Sequence, residues 1–256
     1  MSFEGKVVAI TGGGSGMGRA VAAAFLESGA RVVLNGRREP VLADTARELD
    51  PSGKRVRVVS GDIGRSETGE RLVAAAVSAF GGLDTLVNAA GIFAPKAFVD
   101  HVEADLDAYL GTILKGTFFA SQAAVPALRA RGGGAIVNIG SMWASQAVAA
   151  TPSSAYSAAK AGVHALTKNL AMELAPLQIR VNTLAPAVVD TPVYRAFVPE
   201  ADIPKVLASF DAFHPLGRVG TTADVVGAVL FFAGEGARWI TGTVLPVDGG
   251  VMAGRV

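Results

Sequence analysis

Apolar residues in this chain gather into short runs that alternate with longer amphipathic stretches from one end to the other. Residues 7–10, 31–34, 56–60, 83–87, 135–139, 179–184 and 243–247 have the length and apolar content of strands, the first of them suited to burial on both faces. Residues 19–26, 40–49, 66–80, 101–130, 153–174 and 221–233 read as helices. Breakers stand where two of these helices must stop, Pro51-Ser52-Gly53 after the second and Gly132-Gly133-Gly134 after the fourth. Ser66 is placed to cap the third helix, and Gly69 is that helix's weak point. Strands alternating with helices, without a flexible linker or an internal repeat, predict one α/β domain over residues 1–256 built on a doubly wound parallel sheet.

In such a sheet, ligands bind beyond the carboxyl ends of the strands, where the strand order reverses. The unusual residues of this chain fall at those ends. The first strand runs into Gly12-Gly13-Gly14-Ser15-Gly16-Met17-Gly18 and then a helix. Glycines let a loop wrap a phosphate, and the helix N-terminus turns unpaired N–H groups and a positive dipole end toward it. The second strand closes on Asn35-Gly36-Arg37-Arg38, the third on Gly61-Asp62-Ile63, the fourth on Asn88-Ala89-Ala90-Gly91 and the fifth on Ser141. One rim that collects glycines and polar residues is the pattern of a cofactor site.

An acid at the end of the second strand would bind a ribose 2′-hydroxyl and favour NAD(H). None stands there, and arginine offers a planar fork suited to a 2′-phosphate. NADP(H) is therefore favoured. If Arg37 and Arg38 are only solvated residues at the start of the next helix, NAD(H) stays usable. Asp62 either accepts a hydrogen bond from an adenine amino group or serves the strand-end turn. Tyr156 and Lys160 lie four apart on a helix, hence on one face. A phenol of pKa about 10 is a poor acid or base near neutrality, and a nearby ammonium lowers that value. Ser141 can donate to a carbonyl oxygen. A tyrosine proton relay, that serine and a lysine that also binds ribose hydroxyls suffice for hydride transfer.

Composition narrows the alternatives. At 256 residues the chain can enclose one large core, and although 50% of it is hydrophobic no stretch approaches the ~20 apolar residues of a membrane helix. The N-terminus has no basic segment followed by an apolar one, so secretion is not expected. Without cysteine there are no disulfides or thiolate chemistry, and the three histidines lack metal-ligand spacing. A net charge of +1 with mixed signs supplies no stripe for nucleic acid. A cytoplasmic protein with a small-molecule substrate, and no membrane or nucleic-acid partner, is expected.

From Lys6 to about Gly250 the chain resembles the short-chain dehydrogenase/reductase family in its single-domain branch. Thr11-Gly12-Gly13-Gly14-Ser15-Gly16-Met17-Gly18 matches the family's T-G-x-x-x-G-x-G, and Asn88-Ala89-Ala90-Gly91 its N-A-G-type motif. Tyr156 to Lys160 matches the Y-x-x-x-K box, and Ile179-Arg180-Val181-Asn182 and Val247-Asp248-Gly249-Gly250 the later signatures. The resemblance implies a seven-stranded Rossmann sheet of order 3-2-1-4-5-6-7. It makes Tyr156 the acid/base, Ser141 the substrate orienter and Lys160 the ribose ligand and pKa modifier. Pro186, Val189 and Thr191 would lie on the nicotinamide side. A homotetramer acting on a carbonyl or alcohol is implied.

Three departures stand out. Ile113 occupies the place of an asparagine that helps link the lysine to solvent in the family, so a relay must use backbone carbonyls, Thr117 or another route. Ser141 lies two residues further from Tyr156 than usual, which an inserted turn in 142–154 explains, with Ser145 as fallback donor. Ala187 follows Pro186 where glycine is usual. Residues 190–217 form a variable lid with little helical regularity. Its Tyr194, Phe197, Phe210 and Phe213, with Phe93, Met142 and Trp143 near the mouth, suit a hydrophobic or ring-bearing ketone. His214 and Arg195 either meet a polar substituent or are solvated. The alternative to an enzyme is a cofactor-binding sensor or scaffold weakened by Ile113.

Overall fold

The short apolar runs become strands and the amphipathic stretches become helices in the computed structural model, which describes residues 1–254. The strands are β1 (Val7–Thr11), β2 (Arg31–Gly36), β3 (Val56–Ser60), β4 (Thr85–Asn88), β5 (Gly134–Ile139), β6 (Ile179–Pro186) and β7 (Val244–Val247). The helices are α1 (Gly16–Glu27), α2 (Glu39–Leu49), α3 (Ser66–Phe80), α4 (Glu103–Tyr109), α5 (Gly116–Ala130), α6 (Ser154–Leu174), α7 (Ile203–Ala208) and α8 (Thr222–Ala233). All seven strands pair in parallel, in the expected order β3-β2-β1-β4-β5-β6-β7. The order reverses at β1, so a crevice opens beyond the ends of β1 and β4.

Strand β1 explains why its apolar run does not alternate with polar residues. Val8 and Ile10 pack with Phe25 of α1 and Phe232 of α8, whereas Val7 and Ala9 pack with Leu72 of α3 and Leu128 of α5. Both faces are covered by helices, so every position must be apolar.

Polar side chains cross the sheet in one buried ladder. Asn88 Nδ2 donates to Ser121 Oγ at 3.1 Å and to Asn138 Oδ1 at 2.9 Å. Asn138 Nδ2 donates to Thr167 Oγ1 at 2.9 Å, and Thr167 and Thr183 share a 2.6 Å hydroxyl bond. This ladder ties β4, β5, β6, α5 and α6 together just below the carboxyl rim.

Four local expectations change. Arg65, not Ser66, is the cap residue of α3, and Ser66 is its first helical residue. Gly69 is a contact point: a Cβ there would lie 3.1 Å from Ala120 Cα, so its absence lets α3 and α5 approach closely. The helical stretch over 101–130 begins at Glu103 and passes through a π-helical turn, Leu110–Lys115, between α4 and α5. The segment 190–217 contains α7 and three 3₁₀ turns, more helix than its sequence suggests. Among the described residues no helix is long and apolar enough to cross a membrane.

Candidate active site

The glycine loop leaves β1 at Gly12 and enters α1 at Gly16. Gly12 has φ +69°, and a Cβ on it would lie 2.8 Å from Ala90 Cα. A Cβ on Gly18 would lie 2.3 Å from the Gly12 carbonyl oxygen, so α1 can start against the loop only without a side chain there. Thr11 Oγ1 accepts the backbone N–H of both Ala89 and Ala90 at 3.1 Å, binding the end of β1 to the loop after β4. The resulting cleft is lined by Gly12, Gly14, Ser15, Arg37, Arg38, Asp62, Ile63, Ala90 and Gly91, together with Asn35, Ile92 and Thr112.

The expected residues separate into two groups. Arg37 and Arg38 are exposed and, among the described residues, form no ion pair. Asn35 is buried, with its amide donating to the Val59 and Gly61 carbonyls at 3.0 and 3.2 Å, so it holds the strand end and not a ligand. Asp62 is exposed; its Oδ1 accepts the Gly64 N–H at 2.9 Å, which makes the turn while the residue lines the cleft. Ile63 also packs into the core beneath. Asn88 is turned inward into the polar ladder, Met17 packs against the core, and Ser15 caps α1 without a side-chain hydrogen bond. Thr191 reaches the glycine loop, its Cβ 3.5 Å from where a Gly16 Cβ would be. Pro186 closes β6, and Val189 is buried and bridged to Gly220.

Ser141, Tyr156 and Lys160 come together at the end of β5. Ser141 is buried, caps the 3₁₀ turn Met142–Ala144 and accepts the Trp143 N–H at 3.2 Å. Its hydroxyl lies close enough to the Tyr156 phenol to interact. The longer Ser141–Tyr156 spacing is taken up by that turn and the loop before α6. Ser145 is exposed and lines a separate cavity with His164 and Lys168, so it is not a substitute donor. Lys160 is buried and donates to the Ile139 carbonyl at 2.6 Å. Gly91 leaves room for it, since a Cβ there would lie 3.9 Å from Nζ.

Electrostatics correct one expectation. Burial pushes the Tyr156 phenol up to about 12, an effect that Ser141 opposes and Tyr109 reinforces. Lys160 Nζ lies 5.7 Å from the centre of the Tyr156 ring and does not pull the phenol down. Its own pKa falls to about 8 through burial. Two desolvated groups side by side explain both shifts.

Apolar and aromatic groups close the other side. Phe93 meets Tyr156 edge-on at 4.9 Å and Phe197 at 5.5 Å. Tyr109 clamps the neighbouring loop, its hydroxyl donating to the Ala94 carbonyl at 2.9 Å and accepting the Ala94 N–H at 3.0 Å. Trp143, Tyr194, Phe197, Phe210 and Phe213 form one cluster that reaches Tyr156. His214 is neither solvated nor free: it is buried, with Nδ1 bonded to the Phe210 carbonyl at 2.8 Å. Arg195 is paired with Glu200 at 2.9 Å on the surface. Ile113 is buried among Tyr109, Ala155, Ala159 and Val163, with no polar function. Thr11, Tyr109 and His164 escaped the sequence reading; only Thr11 lay inside a recognised motif.

Known proteins match this arrangement. The family model described as enoyl-(acyl carrier protein) reductase covers residues 12–252. A 2,5-dichloro-2,5-cyclohexadiene-1,4-diol dehydrogenase of Sphingobium indicum is 36% identical over 252 residues, with 98% of each chain covered. A cis-4-hydroxycyclohexanecarboxylate dehydrogenase of Sinomonas cyclohexanicum is 38% identical over 255 residues, again with 98% of each covered. Among solved structures, a short-chain type dehydrogenase/reductase from Mycobacterium marinum superposes with a TM-score of 0.91 at 30% identity, covering 99% of this chain and 98% of that one. With its sheet order, its glycine cleft and nearly its whole length accounted for in this way, the chain belongs to the short-chain dehydrogenase/reductase family, a family of NAD(P)(H)-linked oxidoreductases acting on CH–OH groups.

Proposed function

We propose that the chain interconverts a secondary alcohol and a ketone on a hydrophobic, ring-bearing substrate, with NADP(H) preferred, as a cytoplasmic homotetramer. The observation that carries this reading is the meeting of Ser141, Tyr156 and Lys160 beside the glycine cleft. The cleft fits a dinucleotide: its backbone is bare of side chains at Gly12, Gly14 and Gly91, and two arginines without an ion pair among the described residues stand at the adenosine end.

Bound nicotinamide supplies the hydride acceptor or donor. The protein supplies the rest. Ser141 holds the substrate oxygen, and Tyr156 moves the proton at that oxygen. A phenol raised to about 12 is protonated at neutral pH and so is available to give its proton to a developing alkoxide. Lys160 binds ribose hydroxyls. The aromatic cluster excludes water and favours rings, in line with the cyclic substrates named for the Sphingobium and Sinomonas relatives. Exposed Met172 of α6, Trp239 in the turn before β7 and Leu245 of β7 offer apolar surface for subunit contacts.

The test is titration of NADPH and NADH into wild type, Arg37→Asp and Arg38→Asp, followed by a panel of cyclohexanol, 1,4-cyclohexanediol and their ketones. Tighter NADPH binding that either variant abolishes, with turnover on the panel, is expected. Tighter NADH binding overturns the cofactor preference. Tight nucleotide binding with no turnover would instead favour a sensor, the reading that Ile113 suggests.

A further inference from the structure

One face of α6 is a ladder laid along the end of β5. Tyr156, Lys160, His164 and Thr167 share that face, and each meets a residue between Asn138 and Ser141. Tyr156 meets Ser141, Lys160 bonds the Ile139 carbonyl and Thr167 bonds Asn138. His164 has no role in the proposed chemistry, yet it is 9% exposed and sits directly behind Ser141. Its Nε2 accepts the Ser141 backbone N–H over 3.4 Å. Its ring also fills the space before Gly140: a Cβ on Gly140 would lie 2.3 Å from that same Nε2.

We propose that His164 is a positioning residue for Ser141, its neutral Nε2 holding the Ser141 amide and its ring wedged against Gly140 so that β5 presents the serine hydroxyl to Tyr156. Several observations support this. At 3.4 Å the bond is long, so the wedge contributes as much to placement as the bond does. The turn that follows bears on the same point, since Ser141 Oγ takes the Trp143 N–H and its direction depends on where the Ser141 backbone sits. Nε2 can accept only if the ring is uncharged, and burial, with Lys160 and Lys168 beside it, holds the histidine down to about 4. From β5, its end and β6, Gly140, the Ser141 amide and the Thr183 methyl stand at this end of the ring, and the charged groups acting on it are Lys160 and Lys168 of its own helix. The inference rests on the oxidoreductase reading only for its kinetic consequence.

His164→Leu keeps the bulk and removes the acceptor, whereas His164→Gln keeps an acceptor at about the reach of Nε2. His164→Asn, whose acceptor is too short, replaces Leu should that variant not fold. On the best substrate of the cyclic panel, His164→Leu is expected to lower kcat about tenfold with little change in nucleotide affinity, and His164→Gln to recover most of it. In a Ser141→Ala background the same substitution should change kcat by less than about twofold, because the serine through which it acts is gone. Independently of turnover, the Ser141 amide should exchange with deuterium faster in His164→Leu than in wild type or His164→Gln. Equal losses in Leu and Gln, effects that add to Ser141→Ala, or an unchanged Ser141 exchange rate each overturn the proposal. If wild type binds nucleotide but turns over nothing, the oxidoreductase reading has failed, and the exchange comparison alone decides His164.

Discussion

Lys160 Nζ donates to the Ile139 carbonyl oxygen across 2.6 Å, inside the protein. Burial moves this lysine from 10.5 to about 8, so the folded chain gives up the proton more readily than the unfolded chain. Between those values the unfolded state binds more protons, and the contribution of Lys160 to stability rises with pH. Urea unfolding should show wild type gaining about 2 kcal/mol relative to Lys160→Met from pH 8 to pH 10. Tyr156, shifted upward, begins to act in the opposite sense only above pH 10. A difference that stays flat across the window would show that the ammonium is not desolvated.

Removing one oxygen from Tyr156 separates binding from chemistry. Tyr156→Phe keeps the ring that packs on Phe93 and deletes the group proposed to move the proton. Turnover is expected to fall by about 10²–10⁴. Nucleotide affinity, read by fluorescence titration, should change by less than about threefold, since the cleft is lined by other residues. A variant that retains a tenth of its activity would move the acid/base role elsewhere.

Ile113 is one of the largest fully enclosed side chains and packs against Ala155, Ala159 and Val163 of α6. An asparagine there would bury an amide among apolar neighbours. Ile113→Asn should therefore cost about 2–4 kcal/mol, whereas Ile113→Val costs about 1 kcal/mol with kcat unchanged. If Ile113→Asn unfolds at the wild-type urea concentration and speeds turnover, the site has kept room for a polar relay that the packing does not show.

The alternation of strands and helices, the glycine cleft and the Tyr156–Lys160 pair were legible because each rests on local pattern: a doubly covered strand must be apolar throughout, and a helix spacing of four sets one face; the strand order itself came with the resemblance to the family. Other features depend on contacts distant in the chain. Asn35 looks like a rim residue in sequence, but its amide is used by the carbonyls of Val59 in β3 and Gly61 just past it. Gly69 reads as a helix weakness until Ala120 of α5 is seen against it. His214 reads as a loop histidine that meets a polar substituent or is solvated, yet Phe210, Phe213 and Gly249 enclose it. Tyr156 shows the same limit in energetics: a nearby lysine implied a lowered phenol, but enclosure of both groups reverses the sign.

The polar ladder under the rim makes a further claim about stability. Thr167 is fully buried, and its hydroxyl accepts from Asn138, donates toward the Val163 carbonyl at 2.8 Å and shares a bond with Thr183. Thr167→Val preserves the shape but strips the partner from Asn138 Nδ2 and from Thr183, both of which remain out of reach of water. An unsatisfied buried donor costs its full desolvation, so a loss of about 2–4 kcal/mol in urea unfolding is expected. Thr183→Val should cost less, because Thr167 keeps two partners. The double variant should be more stable than the sum of the singles implies, by about 1 kcal/mol, since the second change removes a group that the first had already orphaned. Simple additivity would mean that the two hydroxyls act independently.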